Sequence, residues 1–191
     1  MKNLYIAIDP GKAGFISIIT QDGQTDFYPM PTHKVETLET LKDGTPKMKS
    51  EFYEKGLILL AAEIAKKYPD TKRFGCIEEV IGRQGWSAQN NFNFGYVAGM
   101  QKMMLILLGC KIMMVRPQKW QSYMYQGFAK VMVKSSTGKT MVHDTKATSK
   151  IVAQALEPNV DFRKTTKSKN LDDNKTDSFL MCHYMKQIIE Q

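Results

Sequence analysis

Apolar residues run unbroken from Leu4 to Ile8 and end in a carboxylate, Asp9, followed by Pro10-Gly11-Lys12-Ala13-Gly14. Such a run predicts a strand buried on both faces. Asp9 falls at its carboxyl end, the edge where open α/β sheets hold their ligands. Pro10 fixes φ and Gly11 admits a tight turn. A second apolar run, Phe15 to Ile19, then leads back beside the first. On this stretch alone, Asp9 could equally be the cap of a hairpin. Asp22-Gly23 is a hairpin turn signal and Thr25 to Met30 a third strand, which makes an antiparallel meander. The polar stretch from Pro31 to Ser50 has no periodicity and reads as a long loop. A helix is predicted from about Glu51 to Tyr68, with Leu57, Leu60, Ala61, Ile64 and Ala65 at helical spacing and Pro69-Asp70 as its stop.

Arg73 to Val80 predicts the next strand. It carries two adjacent carboxylates, Glu78 and Glu79, in a segment otherwise suited to burial, and local violations of this kind mark function or strain. Successive strand residues face opposite ways, so the two cannot point into one site. A long helix follows from about Ser87 to Leu108, closed by Gly109. Phe94, Val97, Ala98, Leu105 and Leu108 mark one face, and Met100, Met103, Met104 and Leu107 add apolar surface elsewhere. A helix apolar nearly all round is buried on two sides. One side meets the sheet and the other could meet a partner chain. Gly95 and Gly99 would allow another backbone to come close.

Lys111 to Val115 is a short last strand, and Pro117 opens a helix-like segment with Lys119 and Trp120. Gly127 to His143 is basic, with no element assigned. Ser136-Thr137-Gly138-Lys139-Thr140 resembles the end of a phosphate-binding P-loop, but Val133 stands where that loop needs Gly and no clear strand precedes it. A further helix starts near Asp144, the stretch Pro158 to Asn170 is basic and aperiodic, and the last helix spans about Asp173 to Ile189. Its apolar stripe is Leu180, Met181, Tyr184, Met185 and Ile188, and Asp177 falls on that stripe. At about 100° per residue, Asp173 lies about 40° from Asp177 around the helix and Asp172 about 140° away. Helix capping and dipole complementarity account for Asp172 and Asp173. They do not account for Asp177, since an unpaired buried carboxylate costs several kcal/mol.

The length, 191 residues, suits a single domain over 1–191, and 42% hydrophobic with 24% charged residues argues against disorder. Net charge is +8 and is concentrated: twelve Lys/Arg stand against three acids between Lys111 and Asn170. A basic region beside carboxylates suggests a polyanion held near a metal, with a solvated basic surface as the plainer alternative. Cys76, Cys110 and Cys182 have no paired spacing, so buried free thiols and a reducing, cytoplasmic compartment are expected. No stretch is long enough for a signal peptide or a membrane span.

Asp9, one glutamate and the start of the last helix thus offer three inward carboxylate sources. Their oxygens suit Mg²⁺ or Mn²⁺ rather than zinc. Two such ions about 4 Å apart can activate water and stabilise the leaving oxygen of a phosphodiester. In order along the chain, the I-D-P-G segment with its following Gly (8–14), I-E-x-V (77–80), F-G-x-x-x-G (94–99) and T-D-S-F-L (176–180) resemble the RuvC family of Holliday junction resolvases, in the ribonuclease H-like superfamily. The likeness is greatest to divergent members carried by phages of Gram-positive bacteria.

The resemblance implies an α/β fold with a five-stranded mixed sheet of order 3-2-1-4-5 flanked by helices. It implies a cytoplasmic endonuclease, in a bacterium or its phage-infected form, that nicks four-way DNA junctions symmetrically with two Mg²⁺ or Mn²⁺ ions per site. Asp9, Glu78 and Asp177 match family ligands. The position three before Asp177 is Asn174 where the family has aspartate, and Asp173 is the substitute. Lys146 matches a basic residue near the scissile phosphate, and Lys119 lies near another. With Lys130, Lys134, Lys139 and Lys150 they form the expected DNA contacts. The family aromatic just after the glutamate strand is replaced by Ile81 and Gly82. The family is a homodimer through the helix at 87–109. A broader fork or flap endonuclease, or a junction-binding protein with little cleavage, remain alternatives.

Overall fold

The structure, a computed structural model, describes all residues 1–191. In chain order the elements are β1 (Lys2–Ile8), β2 (Phe15–Thr20), β3 (Thr25–Pro29), β4 (Thr32–Thr40), β5 (Pro46–Phe52), α1 (Glu54–Lys67), β6 (Thr71–Glu78), α2 (Ala88–Leu107), β7 (Lys111–Val115), α3 (Pro117–Met124), β8 (Met132–Lys134), β9 (Met141–His143), α4 (Thr145–Leu156) and α5 (Asp173–Glu190). Five strands form one mixed sheet of order β3-β2-β1-β6-β7. The meander β1–β2–β3 is antiparallel, while β6 and β7 join it in parallel with β1. Counted within this sheet alone, that is the expected order 3-2-1-4-5, the arrangement of a ribonuclease H-like fold.

The central strand shows why its sequence is apolar throughout. Tyr5 and Ala7 face a core shared with Trp120, Phe162, Phe179 and Met181, under α3, α4 and α5. Leu4, Ile6 and Ile8 face a second core with Leu57, Ile64, Met104 and Leu105, under α1 and α2. Alternation along one strand therefore feeds two cores. Each fully buried side chain of this size contributes about 1.5–3 kcal/mol.

Several boundaries and two elements differ from the sequence reading. The 31–50 stretch is not a loop: β4 and β5 pair antiparallel as a separate hairpin, with a register shift between Glu36 and Thr40. Most of its residues are exposed, and the half-buried face of β4 carries His33, Val35 and Thr37, so there is no apolar stripe for periodicity to reveal. The basic stretch 127–143 likewise contains a short exposed hairpin, β8–β9. The glutamate strand ends at Glu78 rather than Val80, leaving Glu79 beyond the sheet. Helix α1 begins at Glu54 rather than near Glu51, because Pro46–Phe52 is already paired in β5. Cys76 and Cys182 are buried as expected, whereas Cys110 is only half-buried. No backbone within the chain approaches Gly95 or Gly99, whose Cβ positions face open space.

Candidate functional site

Sheet register brings the first two carboxylates together. Ile8 pairs with Ile77 across the parallel β1–β6 ladder, so the next residues, Asp9 and Glu78, leave the same end of the sheet as neighbours. Asp9 continues the parity of Tyr5 and Ala7, and Glu78 that of Cys76, all of which face the α3–α4–α5 core. Both carboxylates are thereby aimed at the face covered by α5. Glu79 takes the other direction and pairs with Arg116 at 2.8 Å on the exposed rim.

The turn after Asp9 is tightly specified. Gly11 has φ +132, in the region that favours glycine, and a Cβ on Gly14 would lie 2.0 Å from the Asp9 carbonyl oxygen. The fully buried side-chain amide of Gln101, on α2, clamps this turn. Its Oε1 accepts from the Gly11 N–H at 3.1 Å and its Nε2 donates to the Gly11 carbonyl at 3.0 Å. Asn174, on α5, donates from Nδ2 to the Ala13 carbonyl at 2.9 Å, so the same turn is held from a second helix.

Helix α5 supplies Asp177. Asp172 is the N-cap, its side chain accepting from the Lys175 N–H at 3.0 Å, as its angular position away from Asp177 suggests. Asp177 Oδ1 is buried and has no hydrogen-bond partner. Burial pushes the Asp177 carboxyl up to about 7, with the charges of Glu78 and Asp173 adding to the shift and a hydrogen bond from Ser149 opposing it. Asp9 is raised well above the usual carboxylate range, first by burial and then by the charges of Asp177 and Glu78. Burial also raises Glu78, against the hydrogen bond that Trp120 Nε1 donates to Glu78 Oε1 at 2.8 Å.

Asp173 is in a different state. Lys146 and Lys150, one turn apart on α4, both pair with it, Lys146 at 2.9 Å and Lys150 at 2.5 Å. Burial acts to raise Asp173, but the two ammoniums outweigh it and hold the carboxyl below its usual value. Lys146 also faces Asp9 and Asp177, whose charges help raise its own pKa. The structure thus brings Asp9, Glu78, Asp177, Asp173, Lys146 and Lys150 into one neighbourhood. Lys119, on α3, and Lys130, Lys134 and Lys139, on or beside the β8–β9 hairpin, are exposed cations outside that cluster.

As the side chains stand, no three acidic, histidine or cysteine groups are close enough together to grip one metal ion. The donor chemistry nevertheless fits a hard divalent cation. Asp9, Glu78 and Asp177 offer only carboxylate oxygens, and Asp177 Oδ1 is a buried acceptor with nothing to accept from. Gln101 and Trp120 were not singled out from sequence as site residues. Gln101 had a legible signal: it sits on the buried stripe of α2 with Val97, Ala98 and Leu105, a polar residue among apolar ones, as Asp177 does on α5.

The class defined by these observations is an α/β protein with a ribonuclease H-like sheet and acidic residues at the ends of its two central strands. No family model matches the chain, and no curated protein does. Among solved structures, a RuvC structure from Thermus thermophilus covers 97% of this chain and 96% of its own, with 11% identity and a TM-score of 0.48. A second, T. thermophilus RuvC in complex with a Holliday junction substrate, has the same coverage, 6% identity and a TM-score of 0.48.

Proposed function

We propose that the chain is a divalent-metal-dependent endonuclease that nicks four-way DNA junctions. The observation that carries this is the convergence of Asp9, Glu78 and the partnerless Asp177 Oδ1 on one face of the sheet, each carboxyl raised by burial. Asp9, Glu78 and Asp177 would hold Mg²⁺ or Mn²⁺. Bound there, two such ions would supply a nucleophilic water and stabilise the leaving oxygen of a phosphodiester. Asp173 serves instead to fix Lys146 and Lys150 beside the site, where Lys146 can pair with a non-bridging phosphate oxygen. Gln101 and Asn174 hold the turn that carries Asp9. Lys119, Lys130, Lys134 and Lys139 contribute sequence-independent phosphate contacts, so affinity falls as salt rises.

The partner is a second copy of this chain, seated on α2. Phe92, Tyr96, Met103 and Ile106 are exposed. With the open Gly99 they make one stripe at spacings of three and four residues. A two-fold dimer presents two sites to the two opposed strands of a junction.

The test is nicking of an immobile four-way junction in Mg²⁺ and in Mn²⁺, beside Asp177→Asn and a panel of forks and flaps. Paired symmetric nicks, lost in the variant, are expected. Equal rates on forks would replace junction specificity with a broader branched-DNA activity. Tight binding without nicks under either metal would make the chain a junction-binding protein.

A further inference from the structure

Trp120 is the largest fully buried side chain of the protein. It lies on α3, which Pro117 starts at the first helical position directly after β7. The indole N–H is its only polar atom and can only donate, and a buried one requires an acceptor. That acceptor is Glu78 Oε1, at 2.8 Å. The Glu78 backbone is fixed at the same place, because Glu78 pairs with Val115 of β7 and the next N–H, of Glu79, donates to the Val115 carbonyl at 2.9 Å.

The indole is itself braced. Tyr125 meets it edge-on, with ring centres 6.1 Å apart. The Tyr125 hydroxyl lies 3.1 Å from the Thr145 carbonyl and 2.7 Å from Ser149 Oγ, so polar contacts hold its ring in place. Trp120 therefore has no freedom to follow Glu78; Glu78 must adjust to Trp120. One carboxylate oxygen is committed and the other is left for a ligand. Groups that orient metal-binding carboxylates from behind in this way typically change affinity by about 10–100-fold when removed.

Resting on the reading of Glu78 as a metal ligand, we propose that Trp120 is a positioning residue, whose indole N–H holds Glu78 Oε1 so that the remaining oxygen is presented to the divalent ion.

The chain has two tryptophans, so Trp86→Phe leaves Trp120 as the only one. In that protein Trp120 is replaced biosynthetically by 3-benzothienylalanine, which exchanges the ring N–H for sulfur and keeps the shape. Mn²⁺ affinity is read by electron paramagnetic resonance titration without DNA, and folding by circular dichroism in chelator. The expected result is a loss of Mn²⁺ affinity of about tenfold with little change in melting temperature. Trp120→Phe, which also deletes the donor, repeats the measurement should the analogue not fold. Met124→Ala, a buried truncation on the same helix, is the packing control and should lower the melting temperature while leaving Mn²⁺ affinity in place. Unchanged affinity on removing the N–H, or an equal loss in Met124→Ala, overturns the positioning role while leaving the nuclease reading intact. A parent protein that binds no Mn²⁺, or binds it as tightly with Glu78→Ala, overturns the ligand role of Glu78 and this inference with it.

Discussion

Asp177→Asn should change the pH dependence of folding in a way that isolates one carboxyl. Asp177 has an ordinary value of 3.8 and is pushed up to about 7 in the fold. Below 3.8 it is neutral in both states and costs nothing. Between 3.8 and about 7 the folded chain keeps a proton that the unfolded chain has released, so raising the pH favours unfolding. Above about 7 the loss is complete, and a shift of this size corresponds to about 4 kcal/mol. His183 acts with the opposite sign. Burial, then the charge of Lys186, lowers it to about 4 from 6.5, so its contribution to stability rises with pH across that interval. Comparing the variant with the parent at each pH cancels His183. The neutral amide also removes the charge that helps raise Asp9, which adds in the same sense.

In chelator, urea melts followed by circular dichroism should find the variant's advantage over the parent small near pH 4. By pH 8 it should reach about 4 kcal/mol, on the order of 10 °C in melting temperature for a chain of this size. Adding Mn²⁺ at 100 times its dissociation constant should return about 2.7 kcal/mol to the parent at pH 8 and less to the variant. A difference independent of pH would refute the assignment of an ionisable, buried carboxyl at Asp177.

Gln101→Leu orphans the Gly11 N–H and carbonyl; it should lose about 2–4 kcal/mol in urea melts and slow nicking, because the turn carrying Asp9 is released. Glu78→Gln should abolish nicking. Glu79→Gln should leave nicking near the parent rate and cost less than about 1 kcal/mol, since the Arg116 pair it breaks is exposed; the reverse ranking on a junction substrate would refute the facing of β6. Ile106→Glu, on the exposed stripe of α2, should shift the mass measured by light scattering from dimer to monomer without lowering the melting temperature of the monomer.

The strands that carry the site were legible because their burial leaves a mark in composition. Leu4 to Ile8 is apolar throughout because both its faces are covered, and the carboxylates Asp9 and Glu78 stand out against such runs. Asp177 was legible for the same reason on a helix. The β4–β5 and β8–β9 hairpins were not. Their residues are mostly exposed, and what holds them is the backbone ladder, which leaves no apolar period to read.

The start of α5 shows a different limit. Helical geometry gives the face on which Asp173 lies, but the face does not determine the partner. That depends on α4, which presents Lys146 and Lys150 to the same carboxylate from a segment more than twenty residues earlier in the chain. Asn174 makes the complementary case. At this position the resembled family has an aspartate, and a neutral amide reads as a lost ligand. In the fold its Nδ2 donates to the Ala13 carbonyl, a contact that a carboxylate, having no proton to give, could not make. Asn174 therefore acts as a donor on the turn that carries Asp9. Asp173 is thus paired with two ammoniums and Asn174 with a backbone carbonyl, whereas Asp177 keeps a buried carboxylate oxygen without a partner.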